Sequence, residues 1–303
     1  MYEKIFVAVD NSIYSNYSID IALSIASKFG SEITACHVYA ARLHGMRFSD
    51  METCLPKRYD EEKLDTQRQI HSSLIEKGLK LISESYLDVV GKKCAALNIP
   101  FQPRLIEGKN HVELIKDIQA NSYNLIIMGA TGLGWSEMNS GETLPGILGS
   151  VCDRIVRNIR EDILVVRDDI PIGRNLIVCM DGSNHSFSSL DIAIEFAMAF
   201  DARIEAISVY DPYFHTVAFK GLTKVLSDDA KKFFRFKEQE CLHDEIINTG
   251  LKKVYKGYLD HALEIARAKS FEIETTLLSG KVTTEILKHI HVKKPSLLIA
   301  GRF

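Results

Sequence analysis

The chain repeats itself. The segment VAVDNSIYSNYSIDIALSIASKFGSEITACHVY, beginning at Val7, runs without a gap over VCMDGSNHSFSSLDIAIEFAMAFDARIEAISVY, beginning at Val178. The offset of 171 sets Asp10 on Asp181, Ser12 on Ser183, Ser15 on Ser186, Asp20 on Asp191 and Val38 on Val209. Further on the offset is 172, and it sets Gly78-Leu79-Lys80 on Gly250-Leu251-Lys252, Tyr86-Leu87-Asp88 on Tyr258-Leu259-Asp260, Gly108 on Gly280 and Gly129 on Gly301. A period this long is a duplicated domain and not a solenoid unit. With 303 residues, each copy has enough chain to bury a core of its own.

Each copy alternates short apolar runs with helical periods. KIFVAVD is a β-branched run that ends in turn residues, which suits a buried parallel strand. A helical face follows at Ile19, Ala22, Leu23, Ala26 and Phe29, with Gly30 as its stop. EITACHVY is the second strand. A polar crossover leads to a helix over about 62–97, with an apolar stripe at Leu64, Leu74, Leu81, Ile82, Val89 and Leu97. FQPRLIEG, HVELIKDIQAN and NLIIMG read as strand, helix and strand. A helix over 150–158 and the strand DILVVRD complete the first copy. Strands separated by helices imply an α/β fold with parallel sheets and right-handed crossovers. The segment 168–173 is the natural linker, so the domains are expected at residues 1–168 and 174–303. The second copy stops after its fourth strand, PSLLIAGRF, which leaves it C-terminally incomplete.

The bulk numbers exclude several classes. Hydrophobic content of 46% and charged content of 25% are those of a soluble globular protein. A formal charge of −3 gives no basic field for a nucleic acid or an anionic membrane surface. The start MYEKIFVAVD is not a secretory leader. No apolar run is long enough for a membrane span, which takes about 18 residues. The six cysteines never form a C-x-x-C pair and read as reduced, packed thiols of a cytoplasmic protein.

The glycines mark the place where chemistry is expected. After strand four comes Gly129-Ala-Thr-Gly132-Leu-Gly134, and after a loop Gly149-Ser150 opens a helix. Glycines let a backbone approach phosphate, a helix N-terminus offers free N–H groups, and a serine at the cap adds a hydroxyl. A dinucleotide domain would carry its G-x-G-x-x-G after the first strand, and no G-x-x-x-x-G-K-[ST] is present. A more ordinary reading stands beside this one: Gly129 and Gly132 turn the chain, Ser150 caps a helix, and Asp10 and Asp181 cap the helices that follow them. His289-x-His291 and Cys241-Leu-His243 lack a third metal ligand. The basic and aromatic residues from Lys231 to Lys237 read as an amphipathic helix.

The sequence resembles the universal stress protein family. The family's first strand ends V-x-x-D-x-S-x-x-S, seen here as VAVDNSIYS and VCMDGSNHS, and its second strand closes on a pair like His37-Val38 or Ser208-Val209. Its ATP-binding members carry G-x-x-G, nine residues, then G-[S/T]. Here sixteen residues, 133–148, separate Gly132 from Gly149, which makes the loop either a flap over a ligand or a plug in the site. The resemblance implies two tandem Rossmann-like domains of the adenine nucleotide α-hydrolase type, with five parallel strands in the order 3-2-1-4-5. It places Asp10 and Val38 at the adenosine end of a bound nucleotide, and Gly129, Gly132, Gly149 and Ser150 at its phosphates. Asp181 and Val209 are the second-copy counterparts of the adenosine end.

By the same resemblance the chain is expected to be a stress-response regulator that binds ATP, with or without Mg²⁺, in its first domain and needs no catalytic residue. Slow hydrolysis in some relatives leaves that activity open. The alternatives are a universal stress scaffold acting through an unknown protein partner without nucleotide, and an enzyme of the α-hydrolase group. Pairing through the fifth strand would give a homodimer or a pseudo-twofold monomer.

Overall fold

The computed structural model describes residues 2–41, 61–133, 148–212 and 236–302, together with residues 43, 46, 50, 51, 54 and 227. The chain divides into two compact units, Met1–Asp169 and Ile170–Phe303.

In unit one the order is β1 (Lys4–Ala8), α1 (Ile13–Phe29), β2 (Glu32–Tyr39), α2 (Glu61–Ala96), β3 (Phe101–Glu107), α3 (Asn110–Ala120), β4 (Leu125–Gly129), α4 (Ser150–Asn158) and β5 (Asp162–Val166). The strands form one parallel sheet in the order β3-β2-β1-β4-β5. The central strands β1 and β4 are buried on both faces, as a sheet covered by helices on each side requires. On one face Phe6, Cys36, Val38, Ile126 and Met128 pack against Leu114 and Ile118 of α3 and Cys152 and Ile155 of α4. Helices α1 and α2 contact each other and the sheet.

Unit two runs β6 (Asn175–Cys179), α5 (Asn184–Phe200), β7 (Arg203–Tyr210), α6 (Phe236–Ala268), β8 (Ile273–Ser279), α7 (Val282–Lys293) and β9 (Leu297–Ala300). Its sheet has the order β8-β7-β6-β9. Register is shared between units: Ile5 faces Leu125 across β1 and β4, and Leu176 faces Leu297 across β6 and β9. These pairs are related by the offsets of 171 and 172 read from the sequence. As the edge strand of four, β9 is less enclosed than β4, and Leu298 is exposed.

Two details differ from the sequence reading. The caps of α1 and α5 are Ser12 and Ser183, whose hydroxyls accept from the N–H groups of Ser15 and Ser186. Asp10 and Asp181 sit two residues before those caps and accept from the N–H of Ser12 and Ser183, at 3.0 and 2.9 Å. These are Asx turns. The intervening Asn11 and Gly182 have positive φ, in the left-handed region that these two residue types tolerate. The stripe assigned to α2 is also displaced. Leu74 and Leu81 are 65% and 68% exposed, and Ile82, Val89 and Leu97 are exposed too, whereas Ser83, Leu87, Val90 and Cys94 are buried. A helix of this length, 36 residues, extends well past the seven- and eight-residue strands beneath it, so the sheet can bury only part of it.

Cys36, Cys94, Cys152 and Cys179 form no disulfide. Burial, with Asp117 adding to it and Arg104 opposing, pushes the Cys36 thiol up to about 12. Burial likewise pushes Cys152 and Cys179 to about 11. These thiols are packing groups and not nucleophiles. Cys241 and His243 lie outside the described side chains.

A buried polar cluster lies between β2, β3 and α3 in unit one. Arg104 pairs with Asp117, whose side chain is 4% exposed. Tyr123 donates to the same carboxylate at 3.2 Å, and the Asn121 amide does so at 3.3 Å. Burial, followed by Asp117, pushes the Tyr123 hydroxyl up to about 12, so it remains a donor.

Unit two solves the same problem with the charges exchanged. Glu205 on β7 stands at the position of Thr34 and accepts from Thr276, at the position of Arg104. His289, at the position of Asp117, meets Glu205 at 3.0 Å, and Lys293, at the position of Asn121, lies at 3.5 Å. The acid has moved from helix to strand and the base from strand to helix.

Burial opposes ionisation of Glu205, but Thr276, His289 and Lys293 outweigh it and hold the carboxyl below its usual range. A depressed carboxylate adds stability above its unfolded value, about 4.3 for Glu, and loses it as pH falls through the lower folded value. The expected result is that Glu205→Gln flattens the acid limb of unit-two unfolding below about pH 4.3. Hydrogen exchange of β7 and α7 at a series of pH values reads this directly. An unchanged acid limb would show that Glu205 contributes nothing there.

Candidate functional site

The 3-2-1-4-5 order reverses between β1 and β4, and open α/β sheets bind ligands at the carboxyl ends beside such a switch point. Two loops meet there although more than a hundred residues separate them. The Ser12 hydroxyl donates to the Thr131 carbonyl at 3.4 Å, and the Leu133 N–H donates to Asp10 Oδ2 at 3.2 Å. Asp10 Oδ1 is held by Ser12, and the Asp10 N–H donates to the Ser15 hydroxyl at 3.1 Å. Asp10 therefore ties the end of β1 to the loop after β4.

The glycines divide by role. A side chain at Gly129 would meet Tyr14 Cβ at 2.8 Å and the Ser15 nitrogen at 3.1 Å, so this glycine lets the first turn of α1 lie on the end of β4. Gly301 does the same against His185 in unit two. Gly132 instead faces the Asp10 carboxylate: a Cβ there would lie 2.5 Å from Oδ2. Gly149 packs on the Thr131 backbone, with a would-be Cβ 3.2 Å from Thr131 Cα, and its N–H donates to the Ala130 carbonyl at 2.8 Å. Gly132, Gly149 and Thr131 thus form one small cradle of backbone beside Asp10.

Gly149 is the N-cap of α4, with no side-chain cap bond, and Ser150 is the exposed first residue of that helix. Ser150 therefore does not cap the helix. Its place is among the first amides, which have no partner inside the helix. The Val38 side chain is 6% exposed and belongs to the core, so only its backbone can reach a ligand; Val209 is buried to the same degree in unit two.

Sequence reasoning missed Thr131. Its hydroxyl is buried, and it is the one buried side-chain polar atom without a hydrogen-bond partner among the described residues. A cluster of basic groups was missed as well. Arg154, one turn along α4 from Ser150, meets His111 Nε2 at 2.9 Å. Burial, then Arg154, then Lys109 lower the His111 pKa, which places three basic side chains together at the start of α3. No pattern in the sequence joins residues 109, 111 and 154.

The other candidates do not assemble. His289 is engaged with Glu205 and His291 is exposed. Among the described residues no group of three or more His, Cys, Asp or Glu is placed to hold a metal. The loop beyond Leu133, with its alternative readings of flap and plug, lies at 134–147, outside the described residues, as does most of the basic segment 231–237.

The Universal stress protein family matches residues 1–167, more than half of the chain. The chain belongs to the universal stress protein family. A universal stress protein of Methanocaldococcus jannaschii is 23% identical over 168 residues, which cover 55% of this chain and 83% of that relative. Among solved structures, a universal stress protein from Archaeoglobus fulgidus superposes with a TM-score of 0.61 at 16% identity, over 97% of this chain and 85% of that one. A putative universal stress protein from Pseudomonas aeruginosa superposes with a TM-score of 0.58 at 12% identity, over 100% of this chain and 83% of that one. At such identities the two structures establish the fold of this universal stress protein across both units. Among the described residues no helix is long and apolar enough to cross a membrane.

Proposed function

We propose that unit one of this universal stress protein binds an adenine nucleotide, with ATP as the preferred ligand, and that the protein works as a regulatory binding module in the stress response. The observation that carries this reading is the unpaired, buried hydroxyl of Thr131 within the Gly132–Gly149 cradle. Leaving a buried hydroxyl unpaired costs about 1–3 kcal/mol, and a phosphate oxygen is the acceptor that would satisfy it.

The residues fit such a group. The first amides of α4, including that of Ser150, and the backbone at Gly132 would face the phosphates, and Arg154 lies one turn further along the same helix. Asp10 and the Val38 backbone would hold the adenosine end. A bound nucleotide would supply the negative charge that these amides and Arg154 face, with Mg²⁺ accompanying the triphosphate. Both Asp10 oxygens already accept backbone N–H groups, which supports a holding role over that of a base for attacking water.

A ligand that binds only the folded state raises stability by about 2.7 kcal/mol at a hundred times its dissociation constant. ATP with Mg²⁺ is therefore expected to raise the unit-one unfolding temperature in a saturable way, and GTP to raise it less. No shift at millimolar ATP would transfer the weight to a scaffold that works without nucleotide.

A further inference from the structure

The crevice of unit two differs in kind from that of unit one. At its mouth Gly182 replaces Asn11, Ser208 replaces His37, Asp211 replaces Ala40 and Tyr255 replaces Ser83. In unit one His37 Nδ1 bonds the Val9 carbonyl, and its ring stands edge-on to Tyr86 with centroids 5.2 Å apart. In unit two the Ser208 hydroxyl makes the matching bond to the Met180 carbonyl at 2.7 Å without supplying a ring. Tyr258, the counterpart of Tyr86, instead lies on Gly182, where a Cβ would come within 2.3 Å of the phenol ring. The ring thus covers the backbone just after Asp181, the place corresponding to the adenosine end in unit one.

Two further rings join it. Tyr255 lies 5.4 Å from Tyr258 and 6.4 Å from Tyr210, with the rings tilted in both pairs. All three tyrosines are partly exposed. Asp211 follows Tyr210 in the chain and Asp181 precedes the Gly182 on which Tyr258 lies, and burial, then Tyr258, then these two carboxylates raise the pKa of the Tyr255 hydroxyl. Burial works against Asp181, yet hydrogen bonds from Ser183 and Ser186 lower its pKa and keep it ionised. Aromatic faces and carboxylates both attract cations, and together they repel a triphosphate.

We propose that the crevice of unit two binds an organic ammonium group against Tyr210, Tyr255 and Tyr258, with Asp181 and Asp211 supplying the opposing charge. The cation site lies just after Asp181, where unit one has Asp10 and Asn11. The elements involved are β6, β7 and α6, so the site is independent of the nucleotide reading of unit one.

The test uses the full chain and two probes of one shape, choline and its neutral isostere 3,3-dimethylbutan-1-ol, in saturation-transfer NMR. Choline is expected to bind saturably and the neutral alcohol about tenfold more weakly or not at all. Tyr255→Ser, which restores the residue of unit one, should lose about tenfold in choline affinity, while Tyr255→Phe, which keeps the ring, should retain it. Asp211→Ala should weaken choline without changing the alcohol. ATP binding should be the same in all three variants, which separates failure here from failure of the nucleotide reading. Equal signals from choline and the alcohol would overturn the proposal, as would wild-type choline affinity in both Tyr255→Ser and Asp211→Ala. If Tyr255→Ser does not fold, Tyr255→Phe and Asp211→Ala decide the matter.

Discussion

Replacing Asp117 with Ala should destabilise unit one by about 2–4 kcal/mol, because it strips the acceptor from Arg104 and Tyr123 and leaves Asn121 only the main-chain carbonyl of residue 117. Arg104, Tyr123 and Asn121 all point at this one carboxylate, and its side chain is almost fully buried. The cost stays below the upper end for buried pairs because Arg104 is 40% exposed and can turn toward water. Arg104→Thr should also be costly, since it leaves the buried Asp117 carboxylate without its counter-charge, although Tyr123 and Asn121 still bond it.

Unit two shows what would repair the damage. A chain carrying Thr34→Glu, Arg104→Thr, Asp117→His and Asn121→Lys imports the whole unit-two arrangement of Glu205, Thr276, His289 and Lys293. The combined variant is expected to recover at least half of the stability lost by Asp117→His alone, because groups in one network are strongly non-additive. Hydrogen exchange of α3 reports the change in unit one separately from unit two, which matters because a two-unit chain need not unfold in one step. Losses that simply add across the four substitutions would show that the two clusters are unrelated.

This cluster also marks where the sequence stopped being legible. The repeat carried the duplication and the alternation of strands and helices, because glycines, apolar runs and the Asp-x-Ser turn hold their spacing in both copies, and the family resemblance carried the strand order. It did not reveal the exchange of charges, since Asp117 aligns with His289 and Arg104 with Thr276, pairs with nothing in common one at a time. Only the packing of α3 and α7 on their sheets shows that each set closes on itself.

The apolar stripe of α2 failed for a different reason. Leucine spacing along a helix says which residues share a face, and it does not say how much of the helix a short sheet can cover. The buried positions there include Ser83 and Cys94, which a count of large apolar residues passes over.

The site was legible in outline and not in its working parts. Asp10 and the loop after β4 were placed in one crevice by the strand order that the family resemblance implies, and the structure joins them through Leu133 and Ser12. Gly129 was grouped with Gly132 and Gly149, and its absent side chain makes room for the first turn of α1. Thr131 was invisible because a threonine between an alanine and a glycine carries no signal until its hydroxyl is found buried and unpaired.

Thr131 therefore offers the most direct measurement. Thr131→Val keeps the shape and removes only the hydroxyl. In the ligand-free protein this deletes an unpaired buried group, so unit one should be as stable as before or more stable by about 1 kcal/mol. Its bond to a phosphate oxygen would be charge-assisted and worth about 1.5–3 kcal/mol, so calorimetric titration should show ATP affinity reduced by about tenfold or more. Few substitutions are expected to raise stability while lowering affinity, and a merely structural threonine would not do so. Tighter folding with weaker ATP binding is the result this account predicts. Wild-type ATP affinity in Thr131→Val, or no saturable binding by the unmodified protein, would contradict it.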